Sequence, residues 1–294
     1  FKKNNINPIV LDSRQDNNSE IIKEAKSLGI DIKFSHVVVA AKGYKKVKSC
    51  DIAEISEDKQ NLNQIKNIEC DCICVSGFWT PTIHLASQSG GKTKFKEEID
   101  AFVPDKSKQK EVTLGSANGV FTLEETLKTS FDKGFELSKA ITNNNNSQQI
   151  PKVSEKKHSK HDKFWCVPLP KGKKYKRFLD FQNDVAVSDI ELAIREGYRS
   201  IEHVKRYTTL GMATDQGKTS NLNGLQLVSN IENKVVPAVG HTTFRPPYTP
   251  ISIGAIVGRE IGKHSKPTRK SPMHNWHEKN NAVFVDAGVW LRPR

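Results

Sequence analysis

The stretch Pro8–Phe34, PIVLDSRQDNNSEIIKEAKSLGIDIKF, decides the fold class. Pro8–Leu11 is a short apolar strand candidate, Glu20–Leu28 has the apolar spacing of a helix, and Ile30–Phe34 is a second strand candidate. Gly29 supplies a stop signal at the C-terminus of the helix. The order strand, helix, strand predicts a βαβ unit, hence an α/β class here and α+β character overall.

Asp12 follows the first strand and is a candidate for a ribose contact. In dinucleotide-binding folds, an acidic residue at the end of the second strand accepts hydrogen bonds from the adenosine ribose. No glycine-rich turn precedes Asp12, so we interpret residues 1–142 as a partial Rossmann-like domain. The N-terminus lacks an initiator methionine and an apolar signal stretch, so we expect a longer parent chain and no secretion signal.

Two further patterns in this half predict ligand loops. His36–Ile55 predicts a hairpin or meander, and Ile68–Val75 predicts a buried strand that ends in the sharp turn Ser76–Pro81. Leu114–Phe121 is rich in small residues and leads into a long helix, which is predicted to begin at a capping box of Thr122 and Glu125. Strand ends and helix N-termini both accept phosphates. An ordinary packed loop is the alternative at the helix N-terminus.

Low-complexity sequence divides the chain. Asn143–Gln149 is polar, and the lysine-rich run that follows has little helical periodicity. Ser188 with Glu191 predicts a capping box, Ser200 predicts the start of another helix, and Pro237–Pro250 is expected to be extended. The predicted units are a nucleotide-binding domain (1–142), a linker (143–177), a small helical domain (178–236), and an interface segment with the start of another domain (237–294).

Composition limits the classes of function. Of the 294 residues, 36% are hydrophobic and 27% are charged, and no apolar run approaches the ~20 residues that span a bilayer. We therefore expect a cytoplasmic protein without a membrane partner. The net charge of +13 permits nucleic-acid binding, but the basic run lacks interleaved aromatic residues. We interpret that run as a solvated linker and expect no nucleic-acid partner.

The cysteines and histidines favour no metal site. Cys70, Cys72 and Cys74 alternate along the predicted strand, so their thiols share one face and cannot close a tetrahedral site alone. We expect them to be reduced, buried side chains. His274 and His277 have no third ligand nearby in sequence, which favours packing roles.

Ser76–Gly91, SGFWTPTIHLASQSGG, resembles a segment of the alpha subunits of heterotetrameric sarcosine oxidases. The resemblance continues through most of the chain outside the linkers, and the tail from Ser271 to Trp290 is similar to the start of the folate-binding domain of glycine cleavage T protein. The three other matching blocks are 180–212, 215–221 and 242–250.

The helical domain resembles the small [2Fe–2S] domains of bacterioferritin-associated ferredoxin. Those domains hold the cluster through four thiolates, whereas the corresponding positions here are Asp180, Gln182, Asp215 and Ser220. Oxygen ligands of this kind do not replace thiolates on such a cluster. The resemblance therefore implies a cluster-free domain, and we expect the purified protein to hold no iron.

The resemblance implies a subunit of an oxidoreductase and not a complete catalyst. Such enzymes oxidise sarcosine at an FAD in the beta subunit, pass electrons to FMN at the alpha–beta interface, form H2O2, and deliver a one-carbon unit to tetrahydrofolate. The alpha subunit contributes NAD binding, one wall of the FMN site and the folate domain, beside beta, gamma and delta subunits. No nucleophile–base or acid–base pair stands out in this chain, which suits chemistry performed by cofactors.

The candidate cofactor contacts form two groups, and a structural turn role is the alternative for each residue. The FMN-facing group suits a phosphate or flavin oxygen, and we expect its segment, Thr242–Pro250, to lie exposed outside the core because prolines hold it extended. The NAD group is Asp12, Ser76, Gly77, Trp79, Pro81, Ser116, Asn118 and Gly119, and the FMN group is Thr242, Thr243 and Arg245.

Other functions remain open at this point. The chain would serve as a non-catalytic assembly module if its nucleotide site were vestigial. It would also suit the alpha subunit of a related amine or opine oxidase or of a cyanide-forming glycine oxidase, although retained cluster cysteines would have favoured that reading. Nucleic-acid binding driven by the net charge is a further alternative.

Overall fold

The computed structural model describes residues 1–16, 18–77, 79–142, 150, 152–153, 163–259, 262 and 267–294. These residues form two compact units, Phe1–Tyr248 and Thr249–Arg294. The predicted linker Asn143–Gln149 and most of the lysine-rich run lie outside the described residues.

The first unit begins with the predicted βαβ arrangement. Strands β1 and β2 pair in parallel, with Ile9 opposite Asp31, and the helix between them connects the two strands. Gly29 has φ +68°, a left-handed conformation that suits the predicted helix stop. The strand and helix predictions are confirmed. The bounds are β1 (Ile9–Asp12), α1 (Glu20–Ser27) and β2 (Asp31–Phe34).

A three-stranded antiparallel meander follows, with the middle strand at its centre. The middle strand supplies most of the buried residues, among them Ile52, Ala53 and Ile55. The predicted hairpin is therefore confirmed and extended by one strand. The bounds are β3 (His36–Gly43), β4 (Val47–Ile55) and β5 (Leu62–Glu69).

The predicted buried strand Ile68–Val75 is wrong. The ladder between β4 and β5 ends with Ser49 opposite Glu69, and the last bond runs from the Cys70 amide to the Lys48 carbonyl. No described strand pairs with residues 71–77, and Cys72 and Cys74 are exposed and not buried. An apolar run forms a strand only where a neighbour completes its hydrogen bonds.

The next part of the first unit carries a short helix, a hairpin and a long helix. The Glu125 amide donates to Thr122 Oγ1 over 3.4 Å, so the Thr122 half of the predicted capping box is confirmed. The apolar stripe of the long helix is exposed or half-buried, and none of the helix residues is fully buried. The bounds are α2 (His84–Gln88), β6 (Thr93–Lys96), β7 (Ala101–Pro104) and α3 (Leu123–Thr142), with a 3-10 turn at Gly115–Asn118.

A small two-stranded hairpin and four helices complete the first unit around its largest apolar core. Each fully buried aliphatic side chain contributes about 1.5–3 kcal/mol. The core residues are Val185, Ile190, Ala193, Ile194, Ile201, Val204, Leu210, Leu225, Val228 and Val236. The bounds are β8 (Phe178–Asp180), β9 (Val185–Ala186), α4 (Val187–Arg195), α5 (Ile201–Thr208), α6 (Asn221–Glu232) and α7 (Val236–Val239).

Two boundary predictions in this region need correction. Helix α4 begins at Val187 and not at a Ser188 cap, because the Asp189 carboxylate accepts from the Ala186 amide over 2.8 Å. The expected extended conformation of Pro237–Pro250 fails at its start, where one helical turn runs to Val239. The predicted start of α5 at Ser200 is confirmed.

The second unit is small and has a three-stranded sheet. Buried His274 stacks on Phe284 with ring centroids 4.6 Å apart, in keeping with the predicted packing role. Across the described parts of both units, no helix combines the length and apolar character needed to cross a membrane. The bounds are α8 (Ile253–Val257), β10 (Arg269–Lys270), α9 (His274–Lys279), β11 (Phe284–Ala287) and β12 (Trp290–Pro293).

Candidate cofactor-facing site

Side chains from two regions hold Thr242–Tyr248, here called the clamped segment, although it has no regular secondary structure. Gln216 accepts from the Arg245 amide through Oε1 over 3.2 Å and donates to the Pro247 carbonyl through Nε2 over 2.5 Å. From α2, Gln88 Nε2 donates to the Arg245 carbonyl over 2.9 Å. Both backbone groups of Arg245 are thus satisfied by glutamine side chains.

Charged side chains hold the two ends of the clamped segment. Glu202 Oε1 accepts from the Thr243 amide over 2.6 Å, and Lys205 Nζ donates to the Thr243 carbonyl over 3.4 Å. At the other end, Lys218 Nζ donates to the Tyr248 carbonyl over 2.8 Å. Backbone groups bound in this way do not need a neighbouring strand, which explains why an irregular segment is held in one conformation.

Alternate residues of the clamped segment point in opposite directions. Thr242 is 1% exposed and accepts from Asn221 Nδ2 over 3.1 Å, and Phe244 is 9% exposed. Thr243 and Arg245 are exposed. The expectation that the whole segment lies exposed outside the core is therefore wrong for Thr242 and Phe244. An extended backbone alternates its side chains, so a clamped segment buries one face and presents the other.

The structure leaves the Arg245 guanidinium free of ion pairs and hydrogen bonds with the described part of the chain. Its main chain is fixed by Gln88 and Gln216, while its side chain faces solvent. Sequence reasoning selected Arg245 but missed both glutamines. His84 and Gln88 are four residues apart, which places them on one face of a helix. This spacing could have indicated that Gln88 contacts the same segment as His84.

His84 anchors the clamped segment from α2. It is 4% exposed, and its ring lies 3.8 Å from that of Phe244 between centroids, with Tyr248 at 5.9 Å. Neither ring nitrogen hydrogen-bonds to a described side chain or backbone group. Burial lowers the pKa of His84 below its ordinary value and the nearby Lys218 ammonium lowers it further, while a Gln216 backbone group near the ring and the Asp215 carboxylate oppose this shift without reversing it. The imidazole is therefore neutral at physiological pH.

The His84 environment predicts a loss of stability in acid. Its pKa is lower in the folded than in the unfolded protein, so the unfolded state takes up the proton first as pH falls through 6.5. The free energy of unfolding should then decrease below that pH, by at most about 1.4 kcal/mol per pH unit for one proton. Denaturant unfolding between pH 7.5 and 5 measures the slope.

His84→Phe keeps an aromatic ring against Phe244 and should flatten this acid limb. The matched control is His203→Gln, because His203 is exposed, and its slope should equal that of the unmodified chain. Equal slopes in the unmodified chain and His84→Phe would contradict the assignment.

Asp12, the first residue of the predicted NAD group, is bound by Arg14. Asp12 receives three bonds from the Arg14 side chain, the shortest 2.8 Å, and one from the Arg14 amide. Burial alone raises the pKa of Asp12, but these bonds outweigh it and hold that pKa below its ordinary value. Asp12 is therefore an ionised acceptor whose described hydrogen bonds all come from Arg14.

The two predicted ligand loops meet at Gly119 and Pro81. Gly119 has φ +75°, and a Cβ there would lie 2.6 Å from Ile99 Cδ1 and 3.8 Å from Pro81 Cγ. Gly119 is thus required by a close approach within the protein. Of the remaining members of the group, Ser76, Gly77, Trp79 and Ser116 are exposed, and Asn118 is half-buried.

The positions that resemble cluster ligands are occupied by a hydrogen-bond network. Asp180 is 2% exposed, and its carboxylate accepts from the Gly211 amide over 2.8 Å and from Ser220 Oγ over 3.5 Å. Gln182 Oε1 accepts a hydrogen bond from one threonine hydroxyl over 3.2 Å, and Asp215 Oδ2 accepts one from a different threonine hydroxyl over the same distance. No metal-competent group of three ligands occurs among the described residues. The absence of iron stays a prediction.

Comparisons with known proteins agree with the predicted resemblance. Residues 174–259, which include the clamped segment, match the model of the sarcosine oxidase A3 domain. Sarcosine oxidase subunit alpha of Rhizobium meliloti (strain 1021) is 38% identical over 87% of this chain. The corresponding subunits of Corynebacterium sp. strains P-1 and U-96 are each 33% identical, over 92% and 97% of it.

The chain spans 25–30% of the length of these relatives. The resemblance to sarcosine oxidase alpha subunits is thus confirmed for a segment of that length. In structure, the chain is similar to L-proline dehydrogenase from P. horikoshii, with a TM-score of 0.56 and 19% identity over 85% of this chain and 49% of that one. This likeness shows a mixed α/β fold shared with a dehydrogenase, and at that identity it shows the fold alone.

Proposed function

We propose that this chain is part of the alpha subunit of a sarcosine oxidase and that its clamped segment forms one wall of a flavin site at a subunit interface. The observation that carries the proposal is the identity of 33–38% to named alpha subunits over most of the chain. The clamped segment supports the proposal. Its backbone is held by hydrogen bonds within the chain while Thr243 and Arg245 are exposed, and such a pre-ordered surface suits contact with a partner.

The proposed enzyme oxidises sarcosine to glycine and forms H2O2 and methylenetetrahydrofolate. FAD belongs to the beta subunit, FMN to the alpha–beta interface, and tetrahydrofolate to a domain related to the tail of this chain, with gamma and delta subunits completing a cytoplasmic complex. The finer domain identities, Rossmann-like and cluster-free ferredoxin-like, are part of the same proposal. By itself the chain turns over no sarcosine, because the redox cofactors supply the chemistry.

The residues present fit the two nucleotides to different degrees. Thr243 and Arg245 supply a hydroxyl and a guanidinium that suit a flavin phosphate or ring oxygen. Asp12 is ionised, and a carboxylate bound by Arg14 keeps lone pairs for a ribose hydroxyl. Gly119 is explained by packing alone, so Asp12 is the stronger member of the NAD group.

Two alternatives predict different behaviour. An assembly module with a vestigial nucleotide site would assemble normally yet bind no NAD. A related amine or opine oxidase subunit would assemble with flavin but oxidise another amine. The structural likeness to a proline dehydrogenase does not choose between substrates, because it rests on the fold.

Arg245→Ala in the reconstituted complex tests the proposal. If the guanidinium meets a flavin phosphate or ring oxygen, its loss should weaken flavin retention or beta-subunit binding by about 2–5 kcal/mol. Retained FMN per complex and the alpha–beta dissociation constant are the measurements. The thermal stability of this chain alone should stay nearly unchanged, because the Arg245 side chain makes no described internal contact.

Arg195→Ala is the matched control, since Arg195 is an exposed arginine of the same unit at the end of α4. It should assemble with normal flavin content. Normal flavin content in Arg245→Ala, or unfolding of that variant by itself, would show that the interface lies elsewhere.

A further inference from the structure

Three cationic side chains gather where α5 meets the clamped segment. Lys205 and Arg206 belong to α5, and Arg245 belongs to the clamped segment. Lys205 Nζ is 3.4 Å from the Thr243 carbonyl oxygen. The guanidinium groups of Arg206 and Arg245 are close enough to the Lys205 ammonium group to repel it. Sequence reasoning missed Lys205, because the alignment of α5 with this segment is decided only in the folded chain.

Among the residues that the structure describes, the Glu202 carboxylate partly offsets these charges. Glu202 Oε2 pairs with Arg206 Nη2 at 3.3 Å, while Glu202 Oε1 is occupied by the Thr243 amide. Within the described residues, Lys205 and Arg245 have no ion pair of their own. Two positive charges are therefore left without a partner in this part of the chain.

The fold fixes the Arg245 main chain and places the Lys205 ammonium group at the Thr243 carbonyl, two residues before Arg245. The Arg245 backbone is bound on both sides by glutamines, and Lys205 is half-buried beside it. Burial lowers the pKa of Lys205, and repulsion from Arg245 and Arg206 adds to that effect although Glu202 opposes it. Like charges that lie close together repel each other unless an anion compensates them, so Lys205 and Arg245 are suited to share an anion.

We propose that Lys205 and Arg245 form a binding site for a phosphate-type oxyanion, with the exposed Thr243 hydroxyl as an additional donor. A phosphate monoester carries a charge of about −1.5 to −2 near neutral pH, which matches the two unpaired cations. Guanidinium and ammonium groups are strong donors to phosphate oxygens. This site extends the proposed function, and it rests on that function only for the identity of the molecule that bears the phosphate.

Isothermal titration calorimetry of the full chain with inorganic phosphate, at fixed ionic strength, tests the site. Lys205→Met and Arg245→Met should each weaken phosphate binding by about tenfold or more, because each removes one charge-assisted contact. Lys205→Arg retains the charge and should keep most of the affinity. The controls Arg195→Met and Lys234→Met remove exposed cations elsewhere and should bind phosphate as the unmodified chain does.

Flavin mononucleotide and riboflavin provide the second arm. Tighter binding of the mononucleotide than of free phosphate, lost in Lys205→Met, identifies the source as the flavin phosphate. Phosphate binding that depends on both residues without any preference for the mononucleotide keeps the anion site and counts against the proposed flavin wall. Equal phosphate affinity in the two methionine variants and the controls, with circular dichroism showing all of them folded, overturns the site.

Discussion

Leu210→Ala is expected to lower the free energy of unfolding by about 2–5 kcal/mol. Leu210 is 0% exposed and lies in the core that joins α4, α5 and α6. Removing its side chain loses buried apolar surface and leaves a cavity, because a close-packed core relaxes only in part. The Asn221 that reaches Thr242 of the clamped segment belongs to α6, so this core also supports the candidate site.

A size exchange makes this test specific. A Cβ at Gly224, inside α6, would lie 2.6 Å from Leu210 Cδ2, so Gly224→Ala overpacks the core by itself. With Leu210→Ala the same methyl group gains room, and alanine is favoured over glycine in a helix by about 1 kcal/mol. The free energy of unfolding of the double variant should therefore exceed, by about 1–3 kcal/mol, the value expected from adding the costs of the two single substitutions.

Urea unfolding of the four proteins in this cycle measures the coupling energy. Ile52→Ala, in the meander, is the control partner, because Ile52 is 2% exposed and lies outside this core. Its cost should add to that of Gly224→Ala. Strict additivity of Leu210→Ala and Gly224→Ala would show that their side chains do not meet.

Asp180→Ala is expected to cost about 3–5 kcal/mol, since several buried donors lose an acceptor worth about 1–3 kcal/mol each. Its Oδ1 accepts from the Gln182 amide over 2.9 Å, and its Oδ2 accepts from the Gly211 amide over 2.8 Å. With Asp180 2% exposed, water replaces this acceptor poorly. The loss should appear as a lower unfolding midpoint in denaturant.

Asp180→Asn keeps one acceptor oxygen but turns an amide donor toward a main-chain donor, so its cost should be intermediate. Asp132→Ala, an exposed position of α3, is the control and should cost less than about 0.5 kcal/mol. An unfolding midpoint of Asp180→Ala equal to that of this control would mean that the hydrogen bonds of Asp180 do not stabilise the loop at Gly211.

Part of the candidate site was predictable and part was not. Arg245 and Thr243 were selected by resemblance and by donor chemistry, and the structure places both outward on one face. Thr242 was assigned to the same wall but is buried on Asn221. The two differ because a segment clamped by distant side chains buries alternate residues, and one of the contacts that set its direction, from Gln88 to the Arg245 carbonyl, joins residues 157 apart in sequence.

The sequence by itself determined the elements whose hydrogen bonds close locally. The first helix with its glycine stop, the cap at Thr122 and the helix after Ser200 follow from apolar spacing and turn chemistry within about a dozen residues. Only the tertiary structure decided that the third meander strand ends at Glu69, because a strand exists where a neighbour pairs with it. It also decided that Lys205 reaches the Thr243 carbonyl, since side chains far apart in sequence meet only when packing brings their elements together.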